Sequence, residues 1–440
     1  MVLPFPMTPG FSAERAFLLS LYEAAVKSAL PEICLGAHLP PQPAGRLVIF
    51  AIGKAAASMA AAAEAHYARH APEAAISGLA ITRYGHRRPT RHVEIVEASH
   101  PVPDAAGLAA SERMLAMART LGPDDLALVL LSGGGSALAT LPVEGVSLED
   151  KQALTRALLA SGAPIANINC VRKHLSRIKG GRLAEAIAPA PIVTLAISDV
   201  AGDDPSVIAS GPTVPDPTTR EDALNILDRF EIELPPHIRV ALISAPESPK
   251  PGASAFRNAR YEIVASGAVA LRAAAERAEM QGCAVTNLGD RIEGEARDIA
   301  AAHARLALDA RARGERRVIL SGGETTITIE DPSCAGRGGR NQEYALALGL
   351  TLQGASGISA LAADTDGIDG GWGASDDPAG ALLLPDTLAR AGALSLDPRE
   401  ALRTHDSGGL FERLGDLLRT GPSFTNVNDF RVILIEGEQT

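Results

Sequence analysis

The chain has 440 residues, 46% of them hydrophobic and only 3% aromatic, with 42 Gly and 30 Pro. That length allows two or three domains with real cores, and the Gly and Pro usage excludes collagen-like and low-complexity classes. Forty-one Lys and Arg against 52 Asp and Glu give a net charge of −11, so nucleic acid is excluded as a general partner and any anion must be held by local donors.

Taken in chain order, short apolar runs alternate with Ala-rich helical stretches. Strands are predicted at 46–52, 76–82, 93–97, 126–131 and 192–198, with helices over 55–69, 105–119 and 148–159 between them. Continuous apolar strands between helices predict a doubly wound, mainly parallel α/β sheet, with ligands gathered at the carboxyl ends of its strands. The run APESPKPGASA, 245–255, is the clearest break. After it come predicted strands at 261–265, 284–288, 317–320, 358–362 and 431–435, with helices over 268–281 and 295–312. Two α/β domains are expected, 1–245 and 256–440, with a cleft between them.

Several chemistries fail on spacing. Cys34, Cys170, Cys283 and Cys334 lie far apart with no Cys-x-x-Cys, against a zinc ribbon, a redox pair or a disulfide framework. Met1–Gly10 carries no Lys or Arg and does not read as a signal peptide. The uncharged stretches 126–143 and 344–363 are broken by Gly and Pro, so neither reads as a membrane span, and a soluble cytoplasmic protein is expected. Gly53-Lys54 is no P-loop, since Val48 and Ala55 stand where Gly and Ser or Thr are needed. No Gly-x-Gly-x-x-Gly fingerprint survives at 133 or 336, an EF-hand fails at Asp369 and Ser375, and the adjacent His405-Asp406-Ser407 make no triad. His66 and His70 share a helix face with no third ligand in view.

Six polar, Gly-rich segments stand where strands should end. In the first, Lys54 opens a helix at its positive end; it reads either as a cation facing a bound anion or as a side chain reaching water. In the second, Ser132, Gly133, Gly134, Gly135 and Ser136 can converge backbone N–H groups on an anion, or simply make a turn. The third carries five basic residues, Arg172, Lys173, Arg177, Lys179 and Arg182, with no acid from 169 to 182. They form a positive patch or a solvated helix face. The fourth, with Asp199, Asp203 and Asp204, suits Mg²⁺ or a general base, or an Asx-turn and cap. The fifth runs from Ser321, Gly322, Gly323 and Glu324 to Arg340 and Asn341, and the sixth combines Asp364–Gly367 with Thr420–Asp429. Ser132-Gly-Gly and Ser321-Gly-Gly echo one another after apolar strands; two such turns on one cleft would suit an anionic substrate. Carboxylates, cations and anion-binding turns together suggest phosphoryl transfer.

Nine stretches carry a resemblance: GKAAASM (53–59), SHPVPD (99–104), LSGGGSAL (131–138), NCVRKHLSRIKGGRLA (169–184), ISDVAGDDPSVIASGPT (197–213), LSGGETT (320–326), GRGGRNQE (336–343), DTDGIDG (364–370) and TGPSFTNVND (420–429). In this order they resemble the glycerate 2-kinase family with its C-terminal MOFRL domain, here about 315–435. The resemblance implies ATP-dependent phosphorylation of D-glycerate to 2-phosphoglycerate. It also implies Lys54 and Arg340 as catalytic, and Asp199 as acceptor of the 2-hydroxyl proton. Mg²⁺ would be held through Asp199, Asp203 or Asp364. The Ser132–Ser136 turn, Arg172 and Lys173 would bind carboxylate or phosphate, as would Ser321, Gly322, Gly323, Glu324 and Asn341. Members of this family also carry the name hydroxypyruvate reductase, which would require a nicotinamide site. No nucleic-acid or membrane partner is implied.

Overall fold

The computed structural model describes residues 12–329, 335–371 and 376–437; the Met1–Gly10 segment, Cys334 and Ser375 lie outside them. Fourteen strands are described: β1 (Leu47–Ile52), β2 (Ile76–Arg83), β3 (Val93–Ala98), β4 (Leu126–Leu131), β5 (Ile192–Ile197), β6 (Ala259–Ala265), β7 (Ala284–Asn287), β8 (Ile292–Glu295), β9 (Arg317–Ser321), β10 (Gly323–Thr326), β11 (Ile358–Asp364), β12 (Gly380–Leu383), β13 (Leu417–Leu418) and β14 (Asp429–Ile435). Packing divides the chain into residues 31–264 and a second unit made of 1–30 with 265–440.

The 31–264 unit is built on a six-stranded sheet of order β3-β2-β1-β4-β5-β6. The ladders β1–β2, β1–β4, β2–β3 and β4–β5 are all parallel, with Ile52 beside both Ile81 and Leu131. Every residue of β1, β4 and β5 is buried, so both faces are covered, as LVIFAI and LALVLL require. Val48, Phe50 and Ile52 pack with Leu79, Val129, Leu131, Met114 and Leu183 in one apolar cluster. From β1 the chain winds outward through β2 and β3, then returns to lay β4 on the other side of β1. The strand order therefore reverses between β1 and β4, and the carboxyl ends of these two strands form the switch point where open α/β sheets bind ligands.

The expected boundary at 245–255 is not where the packing divides. The Pro-rich stretch reads as a linker, yet Ser248 is buried and donates its hydroxyl to Asp216 Oδ2 at 3.0 Å, while the Asp216 amide donates to the Pro249 carbonyl at 3.0 Å. Polar anchoring ties the stretch to the first sheet, and the strand expected at 261–265 becomes β6 of that sheet.

The other unit holds a six-stranded mixed sheet, β13-β12-β11-β14-β9-β7, and a two-stranded parallel pair of β8 and β10. Here β7 and β9 are parallel, whereas β14 runs antiparallel to both β9 and β11. The helix Ala296–Ala312 buries Ala296, Ala300, Ala304 and Ala307 at helical spacing, a small-residue stripe that lets the helix Arg340–Leu352 pack closely on it. The helix Ser12–Ser28 also belongs to this unit. It buries Leu18, Leu21, Tyr22 and Ala25, and its Tyr22 hydroxyl donates to the Asp364 carbonyl at 2.9 Å.

Candidate functional site

At the switch point the turns after β1 and β4 are interlocked. The Lys54 amide donates to the Gly133 carbonyl at 2.8 Å, the Ser132 amide to the Ile52 carbonyl at 2.9 Å, and the Ala55 amide to Ser132 Oγ at 3.0 Å. Gly53 has φ +131°, and a Cβ there would lie 2.4 Å from the Ser132 carbonyl oxygen. Only glycine allows the two turns to approach this closely. The helix starts at Ala56, with Ala55 as its N-cap, so Lys54 stands just ahead of the first turn rather than within it.

Gly134, at φ +76°, caps the short helix Gly135–Leu138. A Cβ on Gly134 would meet the His100 ring at 3.0 Å and Lys54 Cγ at 3.3 Å. The bare glycine thus lies between a lysine and a histidine, and His100 joins the site residues that sequence reasoning missed. Its signal was present in the SHPVPD stretch, but nothing local said that the imidazole reaches the β4 turn. Ser136 Oγ shares a 2.6 Å hydrogen bond with Ser210 Oγ, and Lys179, almost fully buried, donates to the carbonyls of Ser136 and Ala139 at 2.9 and 2.8 Å. The Gly-rich turn is therefore braced from behind by the ISDV-to-SGPT segment and by the basic segment.

That basic segment is less uniformly positive than its sequence suggests. The helix ends at His174. Lys173 is buried with its Nζ 3.6 Å from Asp216, His174 is bonded to Glu247 at 2.9 Å, and Arg182 donates to the carbonyls of Lys173 and Pro246. The missing acids are supplied from distant sequence, and Lys173 is committed to a structural ion pair. Asp199 stands half-buried just past β5. Asp204 accepts the Ser206 amide at 2.8 Å, an Asx-turn, and Asp203, at φ +57°, occupies the left-handed position before it.

In the other unit Arg340 opens the helix Arg340–Leu352 and forks across three carboxylates. Nε reaches Asp429 Oδ1 at 2.8 Å, Nη1 reaches Glu324 Oε1 at 2.8 Å, and Nη2 reaches Asp364 Oδ2 at 3.0 Å and Asn428 Oδ1 at 3.2 Å. Burial works against the charge, but Asp429, Asp364 and Glu324 outweigh it and hold Arg340 above its usual pKa. Asp429 is the hub, since it also accepts Asn341 Nδ2 at 2.7 Å, the Thr325 amide at 3.2 Å and Arg431 Nη2 at 2.9 Å. The sequence singles out the stretch Thr420–Asp429 but not the role of this carboxylate.

Asp364 is further engaged by the Asp366 amide at 2.9 Å. Among the described residues no group of three His, Cys, Asp or Glu side chains gathers as a metal-binding cluster. The Ser321 echo also differs from its counterpart: Gly323, at φ +95°, leads not into a helix but into β10, pressed against Ile292 so closely that a Cβ would lie 2.3 Å from its carbonyl oxygen.

Asp369 is the position at which an EF-hand loop fails, and it lies within the DTDGIDG stretch. It is fully enclosed and accepts the amides of Asn341 and Gln342 at 3.1 and 2.9 Å, capping from outside the helix that carries Arg340. Burial raises its pKa from 3.8 to about 6, against the pull of the Asn341 amide. Between those values the folded chain keeps a proton that the unfolded chain has lost. This group's contribution to stability is therefore full below about pH 4 and is lost as the pH rises through 6. Asp369→Asn removes the dependence, so urea-melt stability of the variant relative to wild type should improve steadily between pH 4 and 6.5. A pH-independent difference would contradict this.

Residues 17–243 match the family model described as a domain of unknown function, DUF4147, and residues 317–429 match the MOFRL family. The D-glycerate 2-kinase of Thermotoga maritima is 37% identical over 426 residues, spanning 96% of this chain and 98% of its own. The chain belongs to the glycerate 2-kinase family with a MOFRL domain. A crystal structure of the Thermotoga maritima glycerate kinase has a TM-score of 0.86 at 36% identity, covering 96% of this chain and 99% of that one. Within this glycerate kinase family the names divide: an Agrobacterium vitis protein 49% identical over 433 residues, 98% of this chain and 96% of its own, is named as a hydroxypyruvate reductase. No helix among the described residues is long and apolar enough to cross a membrane.

Proposed function

We propose that this chain is an ATP-dependent kinase that phosphorylates D-glycerate on its 2-hydroxyl, giving 2-phosphoglycerate and ADP. The observation that carries the reading is Lys54 held beside the Gly133–Ser136 turn at the point where the strand order reverses. A cation fixed next to a glycine turn with spare backbone donors suits a phosphoryl group, whose transfer needs positioning and charge neutralisation more than covalent help. A unit charge at about 4 Å is worth about 4 kcal/mol at an effective dielectric near 20.

In this reading Lys54 stabilises the charge on the transferring phosphoryl group and Ser132–Ser136 orient it. Asp199 accepts the proton from the 2-hydroxyl as its oxygen bonds to the γ-phosphorus and the bond to the ADP oxygen breaks. Arg340 is the second catalytic cation. Its Nε and Nη2 are pinned by buried Asp429 and Asp364, whereas Nη1 is paired with exposed Glu324. Nη1 is therefore the end that can be exchanged onto an anionic oxygen.

The oxygen donors suit Mg²⁺, which keeps several waters and needs only one or two carboxylates beside the phosphates. Asp199 and Asp203 would hold it, and Asp364, already engaged by Arg340 and the Asp366 amide, is the least available of the three. Such an ion would supply charge neutralisation to the phosphates.

Incubation with ATP, Mg²⁺ and D-glycerate, followed by phosphorus NMR, tests the reading. Formation of 2-phosphoglycerate is expected. A 3-phosphate product would overturn the regiochemistry. No phosphorylated product, with NADH consumed on hydroxypyruvate, would replace the kinase by the reductase.

A further inference from the structure

One concentration of buried basic side chains has no acidic partner among the described residues. Lys151, on the helix Leu148–Ala160, is 8% exposed, and its Nζ is enclosed without a hydrogen-bond partner among the described residues. The helix Ile165–His174 packs against it and carries Arg172, half-buried, with no hydrogen bond or ion pair among the described residues. Lys179 follows, 1% exposed, and donates to the carbonyls of Ser136 and Ala139.

These groups lie close enough to act on one another. Burial and then Arg172 push the Lys151 amine down to about 7, and burial, Lys151 and Arg172 hold Lys179 well below its usual range. Next to Ala139, the hydroxyl of completely buried Thr140 is also unpaired. The contrast with Lys173 and His174 is direct, since both have acidic partners within 4 Å. An enclosed ammonium with no partner is costly, and a methionine would fill the same space without that cost. The arrangement makes physical sense if the missing charge comes from a ligand.

We infer that Lys151, Arg172 and Lys179 form an oxyanion subsite, taking a phosphate or carboxylate group against the Ser136–Thr140 turn. Lys151 offers three donors, Arg172 a planar fork, Lys179 a further donor and Thr140 a hydroxyl, enough for the several lone pairs of such a group. The subsite extends the anion-binding Ser132–Ser136 turn and adds Lys151 and Thr140 to the residues that serve it.

The test is calorimetric binding of inorganic phosphate and, separately, of D-glycerate to the full chain, without ATP. Lys151→Met and Arg172→Met are compared with wild type, together with the ligand-free melting temperature of each. One probe should bind wild type and weaken tenfold or more in both variants, while Lys151→Met without ligand melts higher than wild type. Selective loss of phosphate binding marks a phosphoryl subsite, and selective loss of glycerate binding a carboxylate subsite. Wild type binding neither probe, or variants binding both as tightly as wild type, would overturn the inference. Turnover is not scored, so a failed kinase assay with intact, Lys151-dependent phosphate binding would count against the proposed reaction alone.

Discussion

Replacing Lys54 by methionine is expected to lower kcat for glycerate phosphorylation by about 10²–10³, the size of effect seen when one preorganised charge or donor is removed from a transition state. The backbone at Lys54, not its side chain, makes the bond to Gly133 that interlocks the turns. The urea midpoint of the variant should therefore stay near that of wild type, separating a catalytic loss from an unfolded site. Lys54→Arg keeps the charge but not its position, because the side chain runs past Gly134 with its Cγ 3.3 Å from where a Cβ there would lie, and it should recover only part of the rate. A kcat unchanged in Lys54→Met would remove Lys54 from the mechanism.

The second large effect is on stability. Asp429→Ala strips the shared carboxylate from two arginines, Arg340 and the almost fully buried Arg431. Breaking a buried ion pair by deleting one member costs about 3–5 kcal/mol, because the partner charge stays behind uncompensated. Arg431 retains the Gly322 carbonyl at 3.0 Å, which places the expectation toward the lower end. Asp429→Asn keeps the volume and one acceptor oxygen and should lose less. Chemical denaturation of the two variants checks the order, and a loss under about 1 kcal/mol in Asp429→Ala would show that the hub is replaceable.

How far the sequence reveals this molecule depends on how local the cause is. β1 and β4 are apolar over their whole length, and each ends in a turn no core residue would make, so both strands and the candidate site at their ends are legible. Lys173 is the opposite case. No acid stands one helical turn away, yet Asp216 reaches Lys173, and Glu247 reaches the neighbouring His174, from beyond the next strand. Charge balance inside a fold is set by tertiary neighbours, not by sequence neighbours. Asp369, Asp429 and Lys151 are unreadable for the same reason: what distinguishes them is enclosure. The strand at 261–265 is legible, but its place in the first sheet is not, because Ser248 and Pro249 are anchored to Asp216 in a Pro-rich stretch that reads as a linker.

The helix Ser12–Ser28 packs with residues that follow position 264. The order of synthesis therefore runs against the order of assembly. A growing polypeptide presents this amphipathic segment long before β11 and β14 exist to receive it, and the whole 31–264 sheet can close in the meantime. Leu18, Leu21 and Tyr22 must stay solvated, or be sheltered by something else, until translation is nearly finished. Folding of the MOFRL-bearing unit is thus timed by its last strand, however early its first helix leaves the ribosome.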